Sequence, residues 1–187
     1  VNGAWWIGVD PGCRTTGIVA RAGRGPDAEC RYDQTITHDR PDTGHGVTPG
    51  YLRAVTAAIA AVHDRLAVDL IRDGVYESTS DAWRAIHVTA EDVNVPSGHA
   101  RGGFAHPRDL IGLGVIVGYL TAELTPLLVP PNSHGKGLLA GYPPALVSDA
   151  ERRRGLNRQA GESSSLRHVR SAWDVTLTAE RQQVTVW

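Results

Sequence analysis

The sequence predicts an α/β domain on a mixed five-stranded sheet, three antiparallel strands first and parallel strands after, flanked by helices. Three observations predict it. Three short strand-like runs with short connections open the chain, which suits an antiparallel meander. A long stretch with apolar residues at helical spacing follows them. A strand–helix–strand order comes next, which fits a right-handed crossover between parallel strands. The 187 residues suit a single domain spanning residues 1–187.

Trp5 to Asp10 (WWIGVD) reads as a buried strand that ends on a carboxylate, and Pro11-Gly12 turns the chain. Thr16 to Arg21 and Cys30 to Thr37 read as the second and third strands. Asp39 to Gly50 is a turn-rich loop. Tyr51 to Arg72 places Leu52, Val55, Ile59, Val62 and Leu66 on one helical side. Trp83 to Val95 reads as a strand through Ile86 and Val88 into Glu91. Pro107 suits the first turn of a helix through Leu110, Leu113, Val117 and Leu120. Gly112, Gly114 and Gly118 within it permit close backbone packing. Leu127 to Val129 is a short strand closed by two prolines. Pro144 to Arg154 reads as a helix, and Ser165 to Gln183 as the last one, with Leu166, Val169, Trp173 and Leu177 buried.

Hydrophobic residues make up 41% of the chain, enough for a core, and the net charge is -1. A non-specific nucleic-acid coater is usually basic overall, so any such contact must come from a local patch. Cys13 and Cys30 are expected as free thiols in a reducing compartment. No apolar run approaches the roughly 20 residues of a membrane span. A cytoplasmic protein with no membrane contact is the expectation.

Three acids sit at informative places. Asp10 ends a central strand, Glu91 sits near the end of a later one, and Asp174 lies in the last helix. Functional groups collect where strands end in open α/β sheets. Carboxylates gathered there repel one another unless a cation neutralises them. Oxygen ligands without a Cys/His cluster suit Mg²⁺ or Mn²⁺. For Asp10 a solvated surface role is a weak alternative, because it follows four apolar or small residues in a buried strand. Asp174 is equally consistent with an ion pair among Arg167 and Arg170 on its side of the helix.

Ile7 to Gly17 (IGVDPGCRTTG) resembles the first-strand motif of the RuvC family of Holliday junction resolvases. Val88 to Val93 (VTAEDV) resembles that family's strand with the second catalytic acid. Leu110 to Val129 is similar to its next helix and strand, and Trp173 to Ala179 (WDVTLTA) to its last helix. The resemblance implies a ribonuclease H-like fold. It also implies hydrolysis of DNA phosphodiesters with two Mg²⁺ or Mn²⁺ ions per site, by homodimers that cut branched DNA. Asp10 would bridge both ions, with Glu91 and Asp174 as further ligands. Two cations about 3.5–4 Å apart stabilise the attacking and leaving oxygens of an in-line displacement.

Two positions depart from that pattern. The family carries an acid or a histidine one turn before the last aspartate, where this chain has Ser171. His168 is near in sequence but about 120° around an ideal helix from Asp174. Water, Ser171 or a shifted His168 are the candidates for a fourth ligand. The family also carries an aromatic residue after the second acid, resembling a base-stacking wedge. Here Asn94 holds that place, and Phe104 in the following loop is the substitute.

The DNA-facing candidates are Arg152, Arg153, Arg154, Arg158, Arg167 and Arg170, with Arg14 in the turn after Asp10. Lys136, the chain's one lysine, lies with Asn132 and His134 in the loop after Val129. The resemblance implies a basic residue there, placed to polarise the scissile phosphate and counted with the catalytic set. The expected function is a metal-dependent, structure-specific endodeoxyribonuclease. One alternative is a catalytically weakened module that holds branched nucleic acid. Another is an actin-like ATPase, whose first phosphate loop Asp10-Pro11-Gly12 followed by Thr15-Thr16-Gly17 also resembles.

Overall fold

The structure is a computed structural model that describes residues 4–25, 28–39, 46–93, 107–131, 134–161 and 165–184. Asn94 and Phe104, the wedge candidates, lie outside the described residues, as does Asn132.

Five strands form one sheet: β1 (Trp5–Asp10), β2 (Thr15–Ala22), β3 (Glu29–Thr37), β4 (Ile86–Glu91) and β5 (Leu127–Val129). Their order is β3-β2-β1-β4-β5. β2 is antiparallel to both β1 and β3, while β4 runs parallel to β1 and to β5. This is the mixed five-stranded arrangement that the sequence predicts.

The two-residue period of the strands assigns the faces. Trp5, Ile7, Val9, Ile86 and Ala90 join one apolar cluster with Val55, Ile59, Val62 and Leu66 of α1 (Pro49–Arg72) and Ile116 and Leu120 of α3 (Pro107–Leu124). Thr48 caps α1, its hydroxyl accepting from the Tyr51 N–H at 3.2 Å. The opposite face carries Trp6, Gly8 and Asp10 and is covered by α5 (Arg167–Val184). Val19, Val169, Ala172 and Trp173 fill that side.

Two glycines set how closely α5 approaches. A Cβ on Gly8 would lie 2.1 Å from the Ala172 carbonyl oxygen. A Cβ on Gly17 would lie 2.3 Å from that of His168. Any side chain there forces the helix away from β1 and β2. The helix therefore rests its backbone directly on the sheet and carries His168 to the end of β1.

Two predicted elements differ. Trp83 does not begin a strand: it belongs to a short helix, α2 (Thr79–Ala85), capped by Ser78, whose hydroxyl accepts from the Asp81 N–H at 3.2 Å. Pro144 to Arg154 is not one helix. A 3-10 turn (Pro144–Leu146) precedes α4 (Asp149–Arg154), whose N-terminus is fixed by a capping box between Ser148 and Glu151. Among the described residues, no helix is long and apolar enough to cross a membrane.

Candidate active site

β1 and β4 run parallel with Val9 opposite Ala90, so Asp10 and Glu91 leave the sheet side by side on the α5 face. They line an open cleft of about 280 Å³ with Pro11, Leu110, Leu113 and Pro131. The turn after Asp10 is braced from α1. The Tyr51 hydroxyl donates to the Gly12 carbonyl at 2.8 Å, and the Thr16 hydroxyl lies 2.7 Å from the Tyr51 oxygen. A larger hollow of about 410 Å³ lies at the other end of β4, around His63, Trp83 and Ile86, away from both acids.

Each acid has a histidine partner. His168 Nδ1 is 2.7 Å from Asp10 Oδ2, and His134 Nδ1 is 3.3 Å from Glu91 Oε1. The His134 ring is pinned on its far side by the Thr178 hydroxyl, 3.3 Å from Nε2. Burial raises the Asp10 pKa, the hydrogen bond and charge of His168 oppose that rise, and Glu91 adds to it. Glu91 lies close enough to hydrogen-bond the Asp10 carboxyl. Two largely buried carboxyls set side by side are the donor set a hard divalent cation neutralises.

Asp174, on α5, is held by the loop after β5. Its Oδ2 accepts from the Gly135 N–H at 2.7 Å and from the Tyr142 hydroxyl at 2.8 Å. Burial raises its pKa, and those two hydrogen bonds oppose the rise. Among the described residues, no group of three or more His, Cys, Asp or Glu is arranged to hold a metal ion. Asp174 Oδ2 is turned to the loop after β5. Of the fourth-ligand candidates, His168 touches Asp10 directly. Ser171 is buried against the Gly135 backbone.

The basic candidates divide. Arg14, Lys136, Arg152, Arg153, Arg154 and Arg158 are exposed, and Arg167 is partly so. Arg152 pairs with Asp149 at 3.1 Å. Arg154 and Arg158 line a surface cleft of about 340 Å³ with Ser148 and Glu151. Arg170 departs from the prediction: it is wholly buried, donates through Nε to the Leu146 carbonyl at 2.8 Å, and pairs with Glu151. Its guanidinium sits 5.8 Å from the centre of the Tyr142 ring. A side chain so enclosed cannot meet a phosphate.

Sequence reasoning missed His134 as the partner of Glu91 and Tyr142 as the partner of Asp174. His134 precedes Gly135-Lys136 in a loop already singled out, which is the one available signal. Nothing in the sequence pairs Tyr142 with Asp174.

No protein-family model matches the chain, and no curated protein matches it. Among solved structures it is similar to Thermus thermophilus RuvC. One structure, a complex with a Holliday junction substrate, is 15% identical with a TM-score of 0.46, covering 97% of this chain and 96% of that one. Another is 18% identical with a TM-score of 0.45, covering 97% and 96%.

Proposed function

We propose that this chain is a divalent-cation-dependent endodeoxyribonuclease that hydrolyses phosphodiesters in branched DNA, a four-way junction foremost. The observation that carries the proposal is the Asp10–Glu91 pair at the ends of adjacent parallel strands, largely buried where it lines an open cleft. Asp10 and Glu91 would hold Mg²⁺ or Mn²⁺, which when bound supplies neutralisation of the charge that develops on the attacked phosphate. His168 and His134 orient the two carboxylates, as partners of metal-binding groups commonly do. Lys136, exposed in the turn beside His134, would meet the scissile phosphate, and Arg14 its neighbour along the strand. Arg152, Arg153, Arg154 and Arg158 extend the contact to flanking phosphates. A homodimer places two such clefts on one junction. The exposed face of α3, with Ile111, Gly114 and Gly118, is the contact surface we assign to it.

The test is cleavage of labelled four-way, flap and linear DNA with Mg²⁺, Mn²⁺ or chelator. Cation-dependent product from the junction is expected, and Asp10→Asn is expected to abolish it while junction binding persists. Light scattering of that inactive complex is expected to give two chains per junction; one chain per junction overturns the dimer. No product from any DNA, with junction binding intact, would overturn the enzyme and leave the binding module. Turnover of ATP without DNA cleavage would support the ATPase instead.

A further inference from the structure

Gly12 holds both ends of a closed hydrogen-bond circuit. Its N–H donates to the Thr16 hydroxyl oxygen at 3.4 Å, and its carbonyl accepts from the Tyr51 hydroxyl at 2.8 Å. The Thr16 and Tyr51 oxygens lie 2.7 Å apart. The direction of that last bond follows from the protons. A phenol has a single proton, and Tyr51 gives it to a carbonyl that can only accept. Thr16 must therefore donate to Tyr51 while it accepts from Gly12, so all the bonds run the same way round. Hydrogen bonds chained in this way polarise one another. Thr16 is wholly buried and Tyr51 is 4% exposed, so bulk water does not replace a lost partner. Burial raises the Tyr51 pKa, the Thr16 hydrogen bond opposes the rise, and the charges of Cys13 and Asp10 add to it. The phenol keeps its proton and remains a donor.

The circuit joins the turn after β1 to β2 through Thr16 and to α1 through Tyr51. The next two residues are tied down as well. Cys13 Sγ donates to the Asp109 carbonyl of α3 at 3.4 Å, and the Arg14 carbonyl accepts from the His38 N–H at 2.8 Å. The His38 ring stacks on Tyr51, with 4.6 Å between centres and 12° between planes. Asp10 and Pro11, immediately before Gly12, line the cleft with Glu91.

We propose that Tyr51 is a positioning residue: with Thr16 it locks the Pro11-Gly12 turn and so fixes where the Asp10 carboxylate stands beside Glu91. It acts through Gly12 and not by contact with cation or DNA. That Asp10 holds a cation is the nuclease reading, on which the activity and metal readouts rest; the positioning of Asp10 itself does not.

Tyr51→Phe removes the donor and keeps the ring that packs in the core. Expected at equal folded fraction is a kcat for four-way junction cleavage roughly tenfold lower, the cost of loosening the support of a metal ligand. KM is expected to change little, because Tyr51 does not meet the substrate. Mn²⁺ affinity by calorimetry is expected to fall by a similar factor of roughly ten. Thr16→Val should lower kcat alike, and Thr16→Ser, which keeps the hydroxyl, should recover most of that loss. The double variant of Tyr51→Phe with Thr16→Val is expected to lose no more than the worse single one, since both open one circuit. Without cation or DNA, amide exchange at Gly12 is expected to quicken in Tyr51→Phe and the backbone order parameter of Asp10 to fall. Wild-type kcat, Mn²⁺ affinity and Asp10 order parameter in Tyr51→Phe, whatever its thermal midpoint, overturn the proposal and leave the hydroxyl a purely structural role. Multiplicative losses in the double variant overturn it too. If the wild-type protein cuts no DNA or binds no Mn²⁺, the nuclease reading fails, while the Asp10 order parameter still decides the positioning.

Discussion

Glu151 and Arg170 show what a charge pair does when it belongs to the fold. Burial works against ionising Glu151, yet the hydrogen bonds from Arg170 and Ser148 outweigh it and hold the carboxyl at about 2, below its ordinary value of 4.5. The sign follows. A depressed folded pKa contributes stability that is present above the unfolded value and is lost as pH falls through 4.5 towards 2. Asp10 and Asp174 act in the opposite sense, because burial raises both, so the Glu151 contribution must be measured as a difference. Thermal unfolding of wild type and Glu151→Gln should therefore converge as pH falls below about 5, with the wild type more stable at neutral pH. Parallel curves across that range would show that the pair contributes no pH-dependent stability. Truncating Glu151 also leaves Arg170 buried without its carboxylate, which is the expensive half of the change. Arg170 was legible in the sequence as one arginine among six. Its burial was not, because burial depends on where Tyr142 and the Leu146 turn arrive, far away along the chain.

At the scale of elements, α5 decides the site. It brings His168 to Asp10, Thr178 to His134, and Asp174 to the Lys136 turn. Its seat on the sheet depends on Gly8 and Gly17, where a Cβ would meet the Ala172 and His168 carbonyl oxygens at 2.1 and 2.3 Å. Those contacts are backbone, so no side-chain rotation relieves them. Gly8→Ala and Gly17→Ala are each expected to destabilise by about 1–3 kcal/mol, the usual range for overpacking a filled interior. Gly17→Ala should also reduce cleavage more than Gly8→Ala at equal folded fraction, because it displaces the turn that carries His168. Equal thermal midpoints for Gly8→Ala and wild type would disprove the close seat. The strands and long helices were legible because their apolar periods are strong: β1, α1 and α5 follow their stripes. The α2 helix was hidden by its seven residues, too few for a period to show, although the Ser78–Asp81 capping pair was in view. The partners of the third acid were hidden for a related reason. A helical wheel gives the side a residue faces, and Asp174 does face the site; it does not say that Gly135 and Tyr142 reach that carboxylate first.

For the whole molecule, a net charge of -1 leaves DNA binding to the distribution of charge. The exposed arginines at 152, 153, 154 and 158 lie on and just beyond α4, while Glu151, next to them in sequence, is already paired with the buried Arg170. Arg152 is partly offset by Asp149 as well. Arg153, Arg154 and Arg158 thus present more positive charge to solvent than a count over the segment suggests. A duplex arm leaving the cleft past α4 would meet them through phosphates alone, without base readout. Each phosphate contact contributes about 0.9 to the slope of log affinity against log salt on duplex DNA. Arg153→Gln, Arg154→Gln and Arg158→Gln together are therefore expected to flatten that slope by up to about 2.7 for a four-way junction. The cleavage rate at saturating DNA should change little, since none of the three lines the Asp10–Glu91 cleft. An unchanged slope would place the DNA path elsewhere on the surface. A loss of rate at saturation would tie α4 to the chemistry itself, through the Glu151–Arg170–Tyr142 contacts that lead back to Asp174.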